Sequence, residues 1–146
     1  MAKRSKGEYQ VWSPRCKEQF LPIQVSAGRP LRQHDVAQAG RCDLNPGYKL
    51  RRTASIYHLV IYTVTGCGRL FADGDSMLIK PGIMILAPAR RAYTYEPVRP
   101  HWRFYWYHLD DTEQWAHLCR LRTGAQSTGM LGFVERATEG YLKESL

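Results

Sequence analysis

Between Arg51 and Leu109 apolar and polar positions alternate in short runs, and turn residues separate the runs. Ile56 to Thr65 is rich in β-branched and aromatic residues and stops at Gly66-Cys67-Gly68. Arg69 to Ala72 forms a second run, closed by Asp73-Gly74-Asp75. Met77 to Ile79 and Ile83 to Ala87 flank Lys80-Pro81-Gly82, Tyr93 to Glu96 follows Pro88, and Trp102 to Leu109 completes the stretch. Strands this short and this closely spaced predict an all-β barrel or sandwich. A helical reading fails, because no window keeps a 3.6-residue period across the Gly and Pro breaks.

The flanks read differently. Residues 1–19 are polar and basic, and predict a flexible segment. Phe20 to Val25 reads as a short strand, with Pro22 confining it to an edge or a start. Ala27 to Gly47 carries Gly28, Pro30, Gly40, Pro46 and Gly47 and predicts loop, with one strand turn at Val36 to Ala39. After Leu109 the period becomes helical. Asp111 suits an N-cap with Gln114 three positions on, and Trp115, Leu118, Cys119 and Arg122 follow at helical spacing. Thr123 to Ser127 breaks that pattern. A second helix is expected from Ser127 or Thr128, where Met130, Val134, Ala137 and Tyr141 form a heptad-like stripe. The stripe suits packing on the barrel or on a partner helix, and supports a homodimer. It is still running at Leu146 with no stop signal, which predicts that the natural chain continues. The chain thus divides into a basic segment (1–19), a β-barrel (20–110) and a helical dimerisation segment (111–146).

Composition narrows the classes. The 146 residues suit one domain with a proper core, and 44% hydrophobic content is that of a folded protein. The net charge is +8, yet residues 1–55 hold eleven Lys or Arg against four Asp or Glu, while residues 56–146 hold ten against nine. The basic excess therefore lies outside the strand-rich stretch. It suggests an anionic surface or nucleic acid, but no recognition helix gathers it. The cysteines at 16, 42, 67 and 119 have neither C-x-x-C nor zinc-finger spacing. No apolar run follows the basic Met1 to Lys6, and no window approaches the ~20 apolar residues of a spanning helix. Reduced cysteines in a cytoplasmic chain without a membrane partner are the simplest reading.

Candidate chemistry concentrates on the last strand. Trp102, Phe104, Trp106 and His108 share one face; Arg103, Tyr105, Tyr107 and Leu109 share the other. Aromatic faces pack cores, and they also stack on the C–H side of sugars while indole and phenol groups supply hydrogen bonds. Arg51 and Arg52 precede the first long strand, where an Arg can offer a fork of donors to a hydroxyl pair or a carboxylate. The histidines at 34, 58, 101, 108 and 117 contain no i, i+2 pair, and neither a G-x-S-x-G nucleophile motif nor a P-loop is present.

The order of these pieces carries a family resemblance: an upstream Arg, Tyr-x-Leu-x-x-Tyr-x-x-x-Gly-x-Gly, Pro-Gly, a Pro before Tyr-x-Tyr, then Trp-x-Phe-Tyr-Trp-x-His-Leu. Over residues 45–115 this resembles the amino-terminal sensor domain of AraC-type transcription regulators. The resemblance implies a mainly β, cupin-type double-stranded β-helix (a jelly-roll barrel) followed by one or two α-helices. It implies a small polar effector, often a sugar, bound in the barrel, an amino-terminal arm that can fold over it, and dimerisation through a helix after the barrel. Carried over by position, the ligand contacts fall on Arg51, on Phe104 and Trp106, and near Thr94 or Tyr95. Phe104 departs from the histidine of the arabinose-binding member. Metal-binding cupins carry His-x-His with a Glu and a later His; here the last position falls on Ala92, so neither a metal nor another cofactor is expected. Three readings follow: an effector sensor whose DNA-binding part lies in a C-terminal domain outside this chain, a cupin enzyme or plain binding protein, and a nucleic-acid binder resting on charge alone. The first accounts for most of the residues, and no enzymatic activity is expected.

Overall fold

The computed structural model describes residues 7–125. Strands β1 (Tyr9–Val11), β2 (Lys17–Phe20), β3 (Val36–Leu44), β4 (Lys49–Arg52), β5 (Tyr57–Ala72), β6 (Asp75–Ile79), β7 (Met84–Ala87), β8 (Tyr93–Asp110) and β9 (Gly124–Ala125) make an antiparallel sheet folded on itself. A short helix, α1 (Arg29–Gln33), precedes β3, and tight helical turns at Glu113–Arg120 follow β8. Among the described residues no helix is long and apolar enough to cross a membrane.

Two long strands set the architecture. Near its middle β5 shifts register at Gly66, and β8 passes from Val98 to Trp102 opposite that point. The first half of β5 pairs with the second half of β8, and the second half of β5 with the first half of β8. One half-sheet therefore runs β2-β3-β8-β5-β7-β9, and the other runs β1-β4-β8-β5-β6. The corner needs glycine. Gly66 has φ +77°, and a Cβ there would lie 2.0 Å from the His101 carbonyl oxygen. The runs read separately on either side of Gly66 are thus one bent strand, as are those on either side of Val98.

The space between the half-sheets is filled by Cys42, Leu44, Leu59, Ile61, Leu70, Ile79, Ile85, Trp102 and Phe104 with their neighbours. A second apolar layer lies on the outer side of the first half-sheet. There Ile23, Leu31, Trp115 and Leu118 cover Val36, Val60, Leu86, Tyr105, Tyr107 and Leu109. The two faces of β8 thus serve two cores, which explains why both are aromatic.

Several expectations change in the flanks. Strands β1 and β2 form within the stretch expected to be loose, β1 as an edge against β4 and β2 against β3. The strand expected at Phe20 to Val25 ends at Phe20, where Pro22 follows and the chain turns toward α1. The region expected as loop holds the nine-residue strand β3. The helix expected from Asp111 begins after Thr112 as 3-10 turns, which stack Trp115 and Leu118 three residues apart on the sheet. Asp111 does not cap it. The Asp111 carboxylate is held instead by Arg90 at 2.7 Å. The stripe Met130, Val134, Ala137 and Tyr141 lies outside the described residues.

Candidate functional site

At one end of the barrel the apolar filling stops and a cavity of about 210 Å³ opens. Its floor is Trp106, Tyr95 and Leu59 from the long strands. Arg52 and Tyr93 reach it from β4 and β8, and Gln38 and His108 from the paired ends of β3 and β8. The edge strands close it: β1 contributes Gln10, and β2 contributes Glu18 and Phe20. Phe20 meets the Trp106 ring edge-on at 5.5 Å while remaining 61% exposed, so it forms part of the rim. Gly40 makes room for the floor. A Cβ at Gly40 would sit 2.4 Å from the Trp106 ring, so any other residue would push the indole away.

The polar groups are unevenly satisfied. Gln10 donates to the Tyr48 hydroxyl at 2.9 Å, and burial pushes that phenol up to about 12. Burial raises Tyr93 and Tyr95 further, so both remain neutral donors. Glu18 is raised above the usual carboxylate range by burial, with the Cys42 thiol and the Arg52 guanidinium opposing. His108 is pushed down to about 4 by burial, assisted by Arg52, and is neutral at physiological pH. Its Nδ1 is buried without a hydrogen-bond partner. The Trp106 Nε1–H also has no oxygen or nitrogen acceptor; only the weakly accepting Cys42 thiol lies beside it. Buried polar groups are nearly always paired, and each orphan costs about 1–3 kcal/mol.

The residues implied by the resemblance separate on this geometry. Tyr95 and Trp106 line the cavity. Phe104 is fully buried, with its ring 4.1 Å from Trp102 in the filled part of the barrel. Arg51 and Thr94 are directly paired across β4 and β8, and Arg51 Nη1 donates to Thr94 Oγ1 at 3.2 Å. Their neighbours Leu50, Arg52, Tyr93 and Tyr95 line the cavity, so Arg51 and Thr94 lie on the opposite face. There they border an open groove with Phe71 and the Asp73–Ser76 turn. The arginine at the cavity is Arg52, one position on, and a one-residue slip exchanges the faces of a strand. Gln10, Glu18 and Gln38 were not anticipated from the sequence, since they stand on short edge strands or at a strand end.

A second polar cluster lies outside the barrel, where β5 begins. Donor atoms of His58, Asp111 and Cys119 fall within 4.8 Å of one another, a spacing compatible with a metal. The protons argue otherwise. The Ala89 backbone N–H donates to His58 Nδ1 at 3.0 Å, so the neutral ring carries its own proton on Nε2. That Nε2 lies 3.3 Å from Asp111 Oδ1, an electrostatic contact without good hydrogen-bond alignment. The lone pair a metal needs is therefore absent, and Arg90 already compensates Asp111. Burial holds His58 below the usual histidine range, with Asp111 opposing. The cluster ties the start of β5 to the segment after β8.

The model for the AraC-like ligand binding domain matches residues 37–137. No curated protein matches the chain. Solved structures share its fold at low identity. A cupin superfamily protein from Desulfitobacterium hafniense aligns with TM-score 0.54 and 12% identity, over 68% of this chain and 81% of that one. KdgF from Halomonas sp. aligns with TM-score 0.53 and 13% identity, over 69% and 84%. The Cupin_2 domain of an XRE family transcriptional regulator from Enterobacter cloacae aligns with TM-score 0.52 and 11% identity, over 64% and 95%. The fold is therefore that of a cupin.

Proposed function

Because the chain belongs to the AraC-like ligand-binding domain family, matched over residues 37–137, we propose that it is the effector-sensing and dimerisation part of an AraC-type transcription regulator. The effector is a small polar compound, sugar-like in the first instance. The observation that carries this is the barrel-end cavity, where Trp106 and Tyr95 meet the Arg52 guanidinium and the amide side chains of Gln10 and Gln38. Such a lining handles an apolar face and hydroxyl groups at once. The arginine role implied for Arg51 passes to Arg52 on this reading.

The same proposal extends to the rest of the regulator. The chain works in the cytoplasm, pairs with a second copy through the Met130–Tyr141 stripe, and acts on DNA through a C-terminal domain. It senses and does not catalyse, and it needs no cofactor. Within the cavity the metal-capable side chains are Glu18 and His108, fewer than the three or four ligands that metal chemistry employs.

The test is a sugar and polyol screen by tryptophan fluorescence, followed by titration of two variants. Losing a charge-assisted hydrogen bond costs about 1.5–3 kcal/mol, or roughly one to two decades in affinity. Arg52→Ala should lose that much, while Arg51→Ala should bind as the parent does. Loss in Arg51→Ala with none in Arg52→Ala would overturn the assignment.

A further inference from the structure

We propose that the bound molecule is a polyhydroxy acid, and that Arg52 holds its carboxylate at the cavity end of β4. This deepens the effector-binding reading above and rests on it. Leu50 and Arg52 stand two residues apart on β4 and share its inward face. Leu50 packs into the barrel core, and Arg52 lines the cavity beside its ladder partner Tyr93. The Arg52 charge reaches the lining on three sides: it opposes protonation of His108, and it counters the effect of burial on Glu18 and on Tyr93. Yet the half-buried Arg52 guanidinium makes neither a hydrogen bond nor an ion pair among the described residues. Cations elsewhere on the barrel do so: Arg41 and Arg103 meet Asp43, Lys49 meets Glu96, and Arg90 meets Asp111.

The chemistry of the guanidinium limits what suits it. Its N–H donors form a planar fork that matches the two oxygens of a carboxylate. Half withdrawn from water and without a counter-charge in contact, that fork favours an anion over a neutral hydroxyl pair, because charge attraction strengthens as solvent is excluded. Glu18 sets the limit on the other side. It stands on the rim of the same cavity, and its carboxylate opposes a dianion about twice as strongly as a monoanion. A phosphate monoester, at about −1.5 to −2 near neutral pH, is thereby disfavoured. The rest of the lining suits hydroxyl groups and C–H faces. The amides of Gln10 and Gln38 exchange hydrogen bonds with hydroxyls, and Trp106 and Tyr95 supply aromatic surface.

The experiment is calorimetric titration of the chain with matched probes that differ in one end group: D-glycerate against glycerol, D-ribonate against ribitol, and D-gluconate against D-glucitol. Glycerol phosphate is the probe of higher charge. In at least one pair the acid should bind about tenfold or more tighter than the alcohol, the gain from charge-assisted hydrogen bonds. Glycerol phosphate should bind no more tightly than glycerate. Arg52→Gln keeps an amide donor and removes the charge, so the preference for the acid should fall to within about threefold. Glu18→Gln removes the opposing charge at the rim and should raise that preference about threefold. Three results overturn the inference while leaving effector binding intact. The first is an alcohol that binds the parent as tightly as its matched acid. The second is a preference for the acid that survives in Arg52→Gln. The third is glycerol phosphate binding more tightly than glycerate. If no member of any pair binds, the effector reading falls and this inference with it.

Discussion

Trp102 and Trp106 stand on one strand, face the same barrel interior and are almost fully buried, yet they lie in opposite surroundings. The Trp102 Nε1–H donates to Thr63 Oγ1 at 2.9 Å, its ring packs on Phe104, and its indole fills the space beside Gly68. Trp106 also lies over a glycine, but its N–H meets no comparable acceptor and a cavity opens beside it. One half of the barrel satisfies every demand of its indole. The other leaves a demand outstanding. Polar satisfaction separates the closed half of the barrel from the half with the cavity proposed for the effector, and neither burial nor residue type would do so.

The largest expected effect breaks the closed half. Trp102→Ala should destabilise the domain by about 3–5 kcal/mol, because it opens a cavity and strands Thr63. Trp106→Phe removes an indole N–H that has only the Cys42 thiol beside it and keeps an aromatic ring on the cavity floor, so it should destabilise less than Trp102→Ala while weakening polyol binding. Denaturant unfolding of both variants checks this; equal losses would erase the distinction.

The next effect concerns pH. Folding lowers His108 from the ordinary 6.5 to about 4. Between those values the unfolded chain takes up a proton that the folded chain refuses, so stability present above pH 6.5 is lost as pH falls. The full loss, complete below about pH 4, is about 3 kcal/mol. The groups around the cavity are Arg52 on β4, Glu18 on β2, Tyr93 and Tyr95 on β8, and Tyr57 stacked on the ring from β5. Glu18, raised by burial, has the opposite sign and reduces the net slope. His58 is depressed like His108 and titrates in parent and variant alike. The difference between parent and His108→Phe therefore isolates the histidine, and parallel stability–pH curves would show that it carries no such linkage.

The smallest effect sharpens the comparison at the cavity floor. Gly40→Ala places a methyl group 2.4 Å from the Trp106 ring, and should destabilise by about 1–3 kcal/mol as the indole tilts into the cavity. Calorimetry should then find polyol affinity lost beyond what the stability change explains. Unchanged affinity would mean that Trp106 does not form the floor.

The barrel was legible because β5 and β8 carry long β-branched and aromatic runs and β7 a short apolar one, with clear turn residues between them. The cavity was less so, for two physical reasons. First, a strand alternates with period two, so an assignment one residue out on β4 puts Arg51 where Arg52 stands and exchanges the two faces of that strand. Second, the rim belongs to β1 and β2, of three and four residues, which are too short to display a period. Strand β3 was hidden because Gln38, Gly40, Arg41 and Asp43 are polar or small, as its place beside the cavity and a salt-bridged surface requires. The resemblance supplied the fold family, which alternation alone left between barrel and sandwich.

The sharing of β5 and β8 between both half-sheets also bears on how the chain reaches its final form. Both half-sheets take their central pair from β5 and β8, which meet from Tyr57 against Asp110 to Phe71 against Thr94, so neither half-sheet forms without both strands. Most ladder partners are far apart in sequence, so long loops must close before any pairing repays them. Topologies with this share of non-local pairing fold slowly, typically in the millisecond-to-second range. The nascent domain remains without its cavity until β8, which supplies Tyr93, Tyr95, Trp106 and His108, has emerged and been laid into place.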